Sequence, residues 1–276
     1  MEKIQSAIEK ARTARAAVAG LQPQAGQVPP VRGPEPAKSA ATAWAALSPY
    51  TANAAQLRKN RVMTLTGDAV ASPFDMMRTK ILQQMRANNW RRLAITSPSA
   101  GCGKSTLTLN LAFSLSRQRE LRIVLGELDL RRPSLGRLLG ITGRPSFSLA
   151  LDGKADFAEV ALRHQDGLAL AVNANVAGNP AELLHGSTVA RVLTEIEARY
   201  EPDMMLFDMP PMLVSDDVMA FTTHVDAVLL IAAAETTTVK EIDLCERELA
   251  AQTNVMGVVL NKCHFMGKEY SSDYFG

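Results

Sequence analysis

The sequence lacks any charge bias: 30 Lys and Arg face 28 Asp and Glu, for a formal net charge of +2. A balance this close builds no global field for a polyanion, so neither nucleic acid nor an anionic membrane is expected as a partner. Cysteine is scarce too. Cys102, Cys245 and Cys263 are odd in number, far apart and without CxxC or Cys/His metal spacing, so they read as reduced thiols in a cytoplasmic protein. No apolar run approaches the roughly 18 residues that cross a bilayer. The first residues, Met1 to Arg15, are charged and carry no apolar h-region, so no secretory signal is expected. Membrane contact is expected only indirectly, through a partner or a surface helix.

What is present is enough to bury a sizeable core: 276 residues, 47% of them hydrophobic. Composition divides the chain. In residues 1–19, Ile4, Ala7, Ile8, Ala11, Ala14 and Val18 recur at helical spacing among charged residues, which predicts an amphipathic helix. Residues 20–59 hold Pro23, Pro29, Pro30, Pro34, Pro36 and Pro49 among small and polar residues and read as a linker. A folded domain is expected over residues 60–266, with a tyrosine-bearing tail at 267–276.

Within that domain, short runs that are apolar throughout recur at Leu93–Thr96, Arg122–Glu127, Leu168–Val172, Met204–Asp208, Ala227–Ala232 and Val255–Leu260. Helical periodicity separates them at Leu107–Arg117, Ser187–Arg199 and Val239–Ala251. Strands that are apolar on both faces and alternate with helices predict an α/β fold. It is a doubly wound, mostly parallel sheet with helices on both faces, preceded by the short helix and the Pro-rich linker.

The strongest chemical signal is Leu93-Ala-Ile-Thr-Ser-Pro-Ser-Ala-Gly-Cys-Gly-Lys-Ser-Thr106. A strand runs into a turn of small residues, and Gly-Lys-Ser opens a helix. Free backbone amides of Ser99, Ala100, Gly101, Cys102 and Gly103, together with the positive end of the helix dipole, make a cradle for phosphate. In such a P-loop Lys104 reaches the outer phosphates, the Ser105 hydroxyl ligates Mg²⁺, and Thr106 lies near the inner phosphates. Pro98 stands where the common pattern has its first glycine, but Gly101 and Gly103 still supply the close backbone approach. The expected cofactors are ATP and Mg²⁺.

Magnesium also needs carboxylates at neighbouring strand ends. Val124-Leu-Gly-Glu-Leu-Asp129 offers Glu127 and Asp129 at alternate positions, and Met204-Met-Leu-Phe-Asp208-Met-Pro-Pro211 offers Asp208 before two prolines expected to turn the chain out of the sheet. Lys104, Glu127, Asp129 and Asp208 are therefore the candidate catalytic residues, and Ser105 with the three carboxylates the candidate metal ligands. Cys102 inside the loop reads as a space-filler, with a redox-sensitive thiol as the alternative.

Taken together, these segments resemble the cytoplasmic P-loop tyrosine kinases of bacterial capsule and exopolysaccharide biosynthesis, over roughly residues 60–276. Thr96–Thr106 resembles that family's Walker A segment. Glu127-Leu-Asp-Leu-Arg-Arg-Pro133 resembles its second acidic motif, and Asn179-Pro-Ala-Glu-Leu-Leu184 a characteristic segment that follows. Phe207-Asp-Met-Pro-Pro211 with Ser215-Asp216 resembles its Walker B strand and continuation. Gly257-Val-Val-Leu-Asn261 resembles the late strand whose Asn contacts adenine.

The resemblance implies ATP-dependent autophosphorylation, in trans, of C-terminal tyrosines, here Tyr270 and Tyr274. It also implies a membrane-bound polysaccharide co-polymerase as partner, and it leaves room for a homo-oligomer. Four departures from the family pattern stand out. Glu127 replaces the first Asp of the acidic motif, Ser72 and Asp75 replace two of three residues of an oligomerisation helix that keeps Arg78, the tail holds two tyrosines rather than a run, and Lys262 follows Asn261.

Two other readings stay open. A nucleotide-binding regulator with little kinase activity would suit the same departures. A chromosome-partitioning or Min-type ATPase would share the fold, but its signature lysine, five residues before the P-loop lysine, is Ser99 here. Asn261-Lys-Cys-His264 lacks the Asp of a guanine-reading motif, so adenine is the expected base.

Overall fold

The computed structural model of the chain describes residues 39–263. The amphipathic helix expected at residues 1–19, His264, and the tail with Tyr270 and Tyr274 lie outside the described residues.

Five strands are apolar enough to be buried on both faces, and they form the centre of one sheet: β2 (Arg92–Ser97), β3 (Ile123–Glu127), β5 (Leu168–Ala171), β6 (Met204–Pro211) and β7 (Ala227–Ala233). With β1 (Ser48–Pro49), β4 (Ala161–His164) and β8 (Asn254–Asn261) the spatial order is β1-β4-β5-β3-β6-β2-β7-β8. All neighbours are parallel except β4 and β5, which pair antiparallel. Every one of the six expected strands is there. Because side chains alternate along a strand, each central strand feeds two cores. In β6, Met205, Phe207 and Met209 enter one, and Met204 and Leu206 the other.

Helices cover both faces. One layer holds α3 (Ser72–Ala87) and α4 (Lys104–Ser116). The other holds α9 (Ser187–Tyr200) and α11 (Val239–Ala250). From Leu107 to Ser116, α4 is buried all round, as expected of a helix wedged between the sheet and a second helix. Its Asn110 holds the chain that leads into the domain. The side chain accepts from Met63 N–H at 2.8 Å and donates to the Arg61 carbonyl at 2.9 Å.

Two expectations need correction. The linker was expected to run to residue 59, but the folded domain already includes residues 39–59. Ser39 and Asn53 cap α1 (Ala40–Ala45) and α2 (Ala54–Lys59) with their side-chain oxygens. Ser48 and Pro49 pair with β4. Trp44 is buried, its ring edge-on to Tyr200 at 6.4 Å and its indole N–H donating to the Tyr200 carbonyl at 2.6 Å. Proline content hid this, because Pro49 sits on an edge strand, where a missing N–H costs nothing. Second, β6 does not stop at Asp208: it runs on to Pro211, with a register shift against β2, and the chain turns out of the sheet directly after the second proline. The Thr96 hydroxyl donates to the Pro210 carbonyl at 2.7 Å.

Removing the indole should test the new boundary. Trp44→Ala is expected to lower unfolding stability by about 3–5 kcal/mol in urea titrations with an unchanged slope. A residue in a true linker would shift stability by less than about 0.5 kcal/mol.

Candidate functional site

Three strand ends converge because β6 lies between β2 and β3. Asp208 stands in register with Glu127 on one side and Ile95 on the other. The loop after β2 therefore rises directly beside Asp208. Gly101 and Gly103 in that loop have φ of +82° and +91°, a left-handed conformation that glycine adopts without steric cost. Gly103 is the N-cap of α4, so the positive end of a 13-residue helix faces the loop. A Cβ at Gly103 would sit 2.3 Å from Asn261 Nδ2.

Lys104 opens α4, and its Nζ lies 2.9 Å from Asp129 Oδ2. Burial alone would lower the ammonium pKa, but Asp208 and Asp129 outweigh it and hold Lys104 above its ordinary value. Asp129 also accepts from Arg132 N–H at 3.0 Å. Asp208 is wholly buried. Burial raises its pKa to about 6, against the pull of Lys104 and of the Ser105 hydroxyl. Its Oδ1 accepts from Thr108 Oγ1 at 3.4 Å, while Oδ2 has no partner. A buried carboxylate oxygen without a partner is costly, and it faces the end of the sheet where the lysine and the phosphate loop meet.

The structure separates Glu127 from this group. Its Oε1 accepts from Ser134 N–H and, at 2.7 Å, from Leu135 N–H. Its Oε2 accepts from Asn173 N–H at 2.8 Å, and Asn173 Nδ2 donates back to the Glu127 carbonyl at 2.8 Å. Burial pushes its pKa up to about 7, with the three amides opposing. Among the described residues no three His, Cys, Asp or Glu side chains form a metal-binding group, so the expected trio of carboxylate ligands is not assembled.

Ser99 and Ala100 lie in the turn after β2, and Thr106 lies in the first turn of α4. Ser99 and Thr106 are half-buried and Ala100 is exposed. Cys102 is buried, with its thiol 3.3 Å from the Ser99 carbonyl and 3.6 Å from Thr237 Oγ1. Burial would raise that thiol, but the hydrogen bonds from Thr237 and Ser99 outweigh it and lower its pKa. Asn261, expected at the base, donates from Nδ2 to the Cys102 carbonyl at 2.8 Å and so ties β8 to the loop.

Sequence reasoning missed Thr108, Asn173 and Asp217. Thr108 was findable, one helical turn after Lys104 on the same face. Asp217 is fully buried and takes both arms of Arg131, at 2.7 and 3.0 Å. Nothing in sequence spacing marks that pair or Asn173.

Residues 89–275 match the family model described as the NUBPL iron-transfer P-loop NTPase family, ParA. The chain belongs to this ParA-type family of P-loop NTPases. Nucleotide is accordingly the ligand class of the cradle.

Among the similar proteins is the tyrosine-protein kinase wzc of Salmonella typhi, 30% identical over 206 residues, 70% of this chain and 28% of that protein. The tyrosine-protein kinase YwqD of Bacillus subtilis is 25% identical over 216 residues, 74% of this chain and 90% of that one. A solved relative is the kinase domain of the Escherichia coli tyrosine kinase ETK, at TM-score 0.65 and 26% identity, covering 75% of this chain and 82% of that one. The chain spans only about a quarter of the length of the larger curated relatives it matches. Among the described residues no helix of this ParA-type NTPase is long and apolar enough to cross a membrane.

Gly103 supplies a test of the cradle. Gly103→Ala combines backbone strain with the Asn261 contact and should weaken ATP binding at least about tenfold, a cost within the 1–3 kcal/mol of a forced left-handed residue. A Cβ at Gly101 meets no atom within 4 Å, so Gly101→Ala should lose less. Calorimetric titration of both variants checks the order, and equal losses would remove Asn261 from the account.

Proposed function

We propose that this chain is an ATP-dependent protein-tyrosine kinase that transfers the γ-phosphate of Mg-ATP to tyrosines of its own C-terminal segment, Tyr270 and Tyr274. The observation that carries the chemistry is the buried group of Lys104, Asp129 and Asp208 at the N-terminus of α4. The likeness to tyrosine kinases over 70% of the chain supports the choice of acceptor. So does Ser99, which stands where partition-type ATPases carry their signature lysine.

Phosphoryl transfer demands positioning and charge neutralisation rather than covalent help from the protein. The loop amides and the helix end receive the phosphates. Lys104, paired with Asp129, is the side chain that would hold the outer phosphates. The orphaned Asp208 Oδ2 fits a divalent cation or one of its waters, and Ser105, Asp129 and Asp208 are the residues that would hold it. Mg²⁺ bound there supplies positive charge to the phosphates. A carboxylate beside the acceptor hydroxyl would take its proton as general base.

In the cell the kinase is assigned to polysaccharide polymerisation and export, in the cytoplasm at the inner face of the membrane, with a membrane-bound co-polymerase as its partner. Self-association would leave Asp75 and Arg78 aside. Asp75 is already engaged within the chain by Arg78, Arg117 and Ser114 Oγ. One observation favours a second reading, a catalytically weak ATP-binding regulator of the same machinery. Glu127, the family's first acidic position, already accepts from three backbone amides.

Incubation of the full chain with Mg-ATP, followed by phosphotyrosine mapping by mass spectrometry, separates the two. Phosphate on Tyr270 or Tyr274 is expected, absent in Lys104→Ala and in the Tyr270→Phe/Tyr274→Phe double variant. ATP binding without any modified tyrosine, even with the partner's cytoplasmic segment added, would leave only the regulator.

The cation has its own test. Asp208→Asn should slow transfer by at least about 10²-fold, as loss of one preorganised electrostatic partner does elsewhere, and raise the Mg²⁺ needed for half-maximal ATP binding. An unchanged Mg²⁺ titration would place the cation elsewhere.

A further inference from the structure

The three strand-end acids Glu127, Asp129 and Asp208 stand in different surroundings. Asp208 keeps an oxygen with no partner, and Asp129 has one oxygen on an exchangeable lysine. Glu127 has three fixed backbone donors and no exposed surface. Three of the roughly four lone-pair positions of a carboxylate are taken by groups that cannot leave.

The three donors come from two different parts of the chain. Ser134 and Leu135 begin α5 (Leu135–Leu139), and Asn173 follows β5. Glu127 therefore ties the end of β3 both to the start of α5 and to the neighbouring strand's loop. Between its two attachments lies Leu128–Pro133, the segment that carries Asp129. That segment has attachments of its own: Leu128 and Asp129 N–H donate to the Asp208 carbonyl, Ala177 N–H donates to the Leu130 carbonyl, Asp129 accepts from Arg132 N–H and pairs with Lys104, Arg131 grips Asp217, and Leu128 and Leu130 are fully buried. Glu127 is the bond that closes it onto the start of α5.

We infer that Glu127 is a positioning residue, which closes the Leu128–Pro133 loop over the site and so sets where Asp129 stands, rather than a metal ligand or a base. This rests on the kinase reading of the same site only for its rate measurements. The extra methylene is what the role requires. The strand cannot slide to let a shorter side chain reach, because β3 is held in register between β5 and β6, and its backbone at Gly126 packs closely against Phe147 and Phe207. An aspartate on the same backbone falls about one C–C bond short of the amides of Ser134 and Leu135.

The test compares the full chain with Glu127→Asp, which keeps the charge and the fold, and Glu127→Gln, which keeps the length. Amide hydrogen exchange without nucleotide reads the anchor directly. Ser134, Leu135 and Asn173 should exchange at least about tenfold faster in both variants, the size of one lost hydrogen bond to a charged group. Asp129→Asn should leave them protected. Autophosphorylation reads the consequence. Glu127→Asp should lower kcat on the order of 10²-fold, as a displacement of about 1 Å does, with KM for ATP kept within about twofold.

Unchanged exchange at those three amides would overturn the inference. So would a Glu127→Asp enzyme as fast as the wild type or faster, since shortening the anchor would then have left Asp129 where it stands. A wild-type chain with no phosphotyrosine at all would sink the kinase reading, while the exchange experiment would still decide the anchor.

Discussion

The ammonium of Lys104 is the charge around which the site is organised. Two carboxylates, Asp129 and Asp208, are buried beside it at the end of the sheet. Removing such charges from water costs several kcal/mol each unless they are paired. One cation facing two acids leaves the pairing incomplete, and the unpartnered Asp208 oxygen is where the deficit shows. Lys104, Asp129 and Asp208 are thus an unbalanced set of charges held by the surrounding packing.

Holding that imbalance demands rigidity, and the order of strands supplies it. With β6 between β2 and β3, the phosphate loop, Asp208 and the acidic loop are fixed relative to one another by ladder hydrogen bonds. Both faces of β6 are buried, so a tilt of the strand would open one core or overfill the other. The buried α4 transmits the same constraint to Lys104 from the helix side.

The loops above the sheet have no ladder and rely on individual bonds. Glu127 holds the start of α5 and the Asn173 loop, Arg131 grips Asp217, Asn261 holds the phosphate loop from β8, and Asn110 secures the chain entering the domain. Each joins residues distant in sequence. Their shared physical content is a buried or half-buried polar side chain satisfied by backbone or by an opposite charge, which specifies one loop conformation among many.

These bonds also mark the limit of what was legible beforehand. The six central and edge strands, the parallel sheet, the phosphate loop and the carboxylates Asp129 and Asp208 were readable because each is a local pattern. Continuous apolar runs mean burial on both faces, and glycines before a lysine at a helix start mean an anion cradle. The start of the domain was misread because proline content is a weak sign of disorder when one tryptophan, Trp44, anchors the segment on a helix that ends 156 residues later. Glu127 was misread for a related reason. A strand-end acid looks like a ligand in sequence, and only the distant amides of Ser134, Leu135 and Asn173 show what holds its oxygens. The sequence by itself determined the fold class and the glycine turn that opens α4, since periodicity and backbone conformation are local properties. Only the tertiary structure decided which acid keeps an unpartnered oxygen and which is tied to the frame, because that depends on which groups the fold brings together.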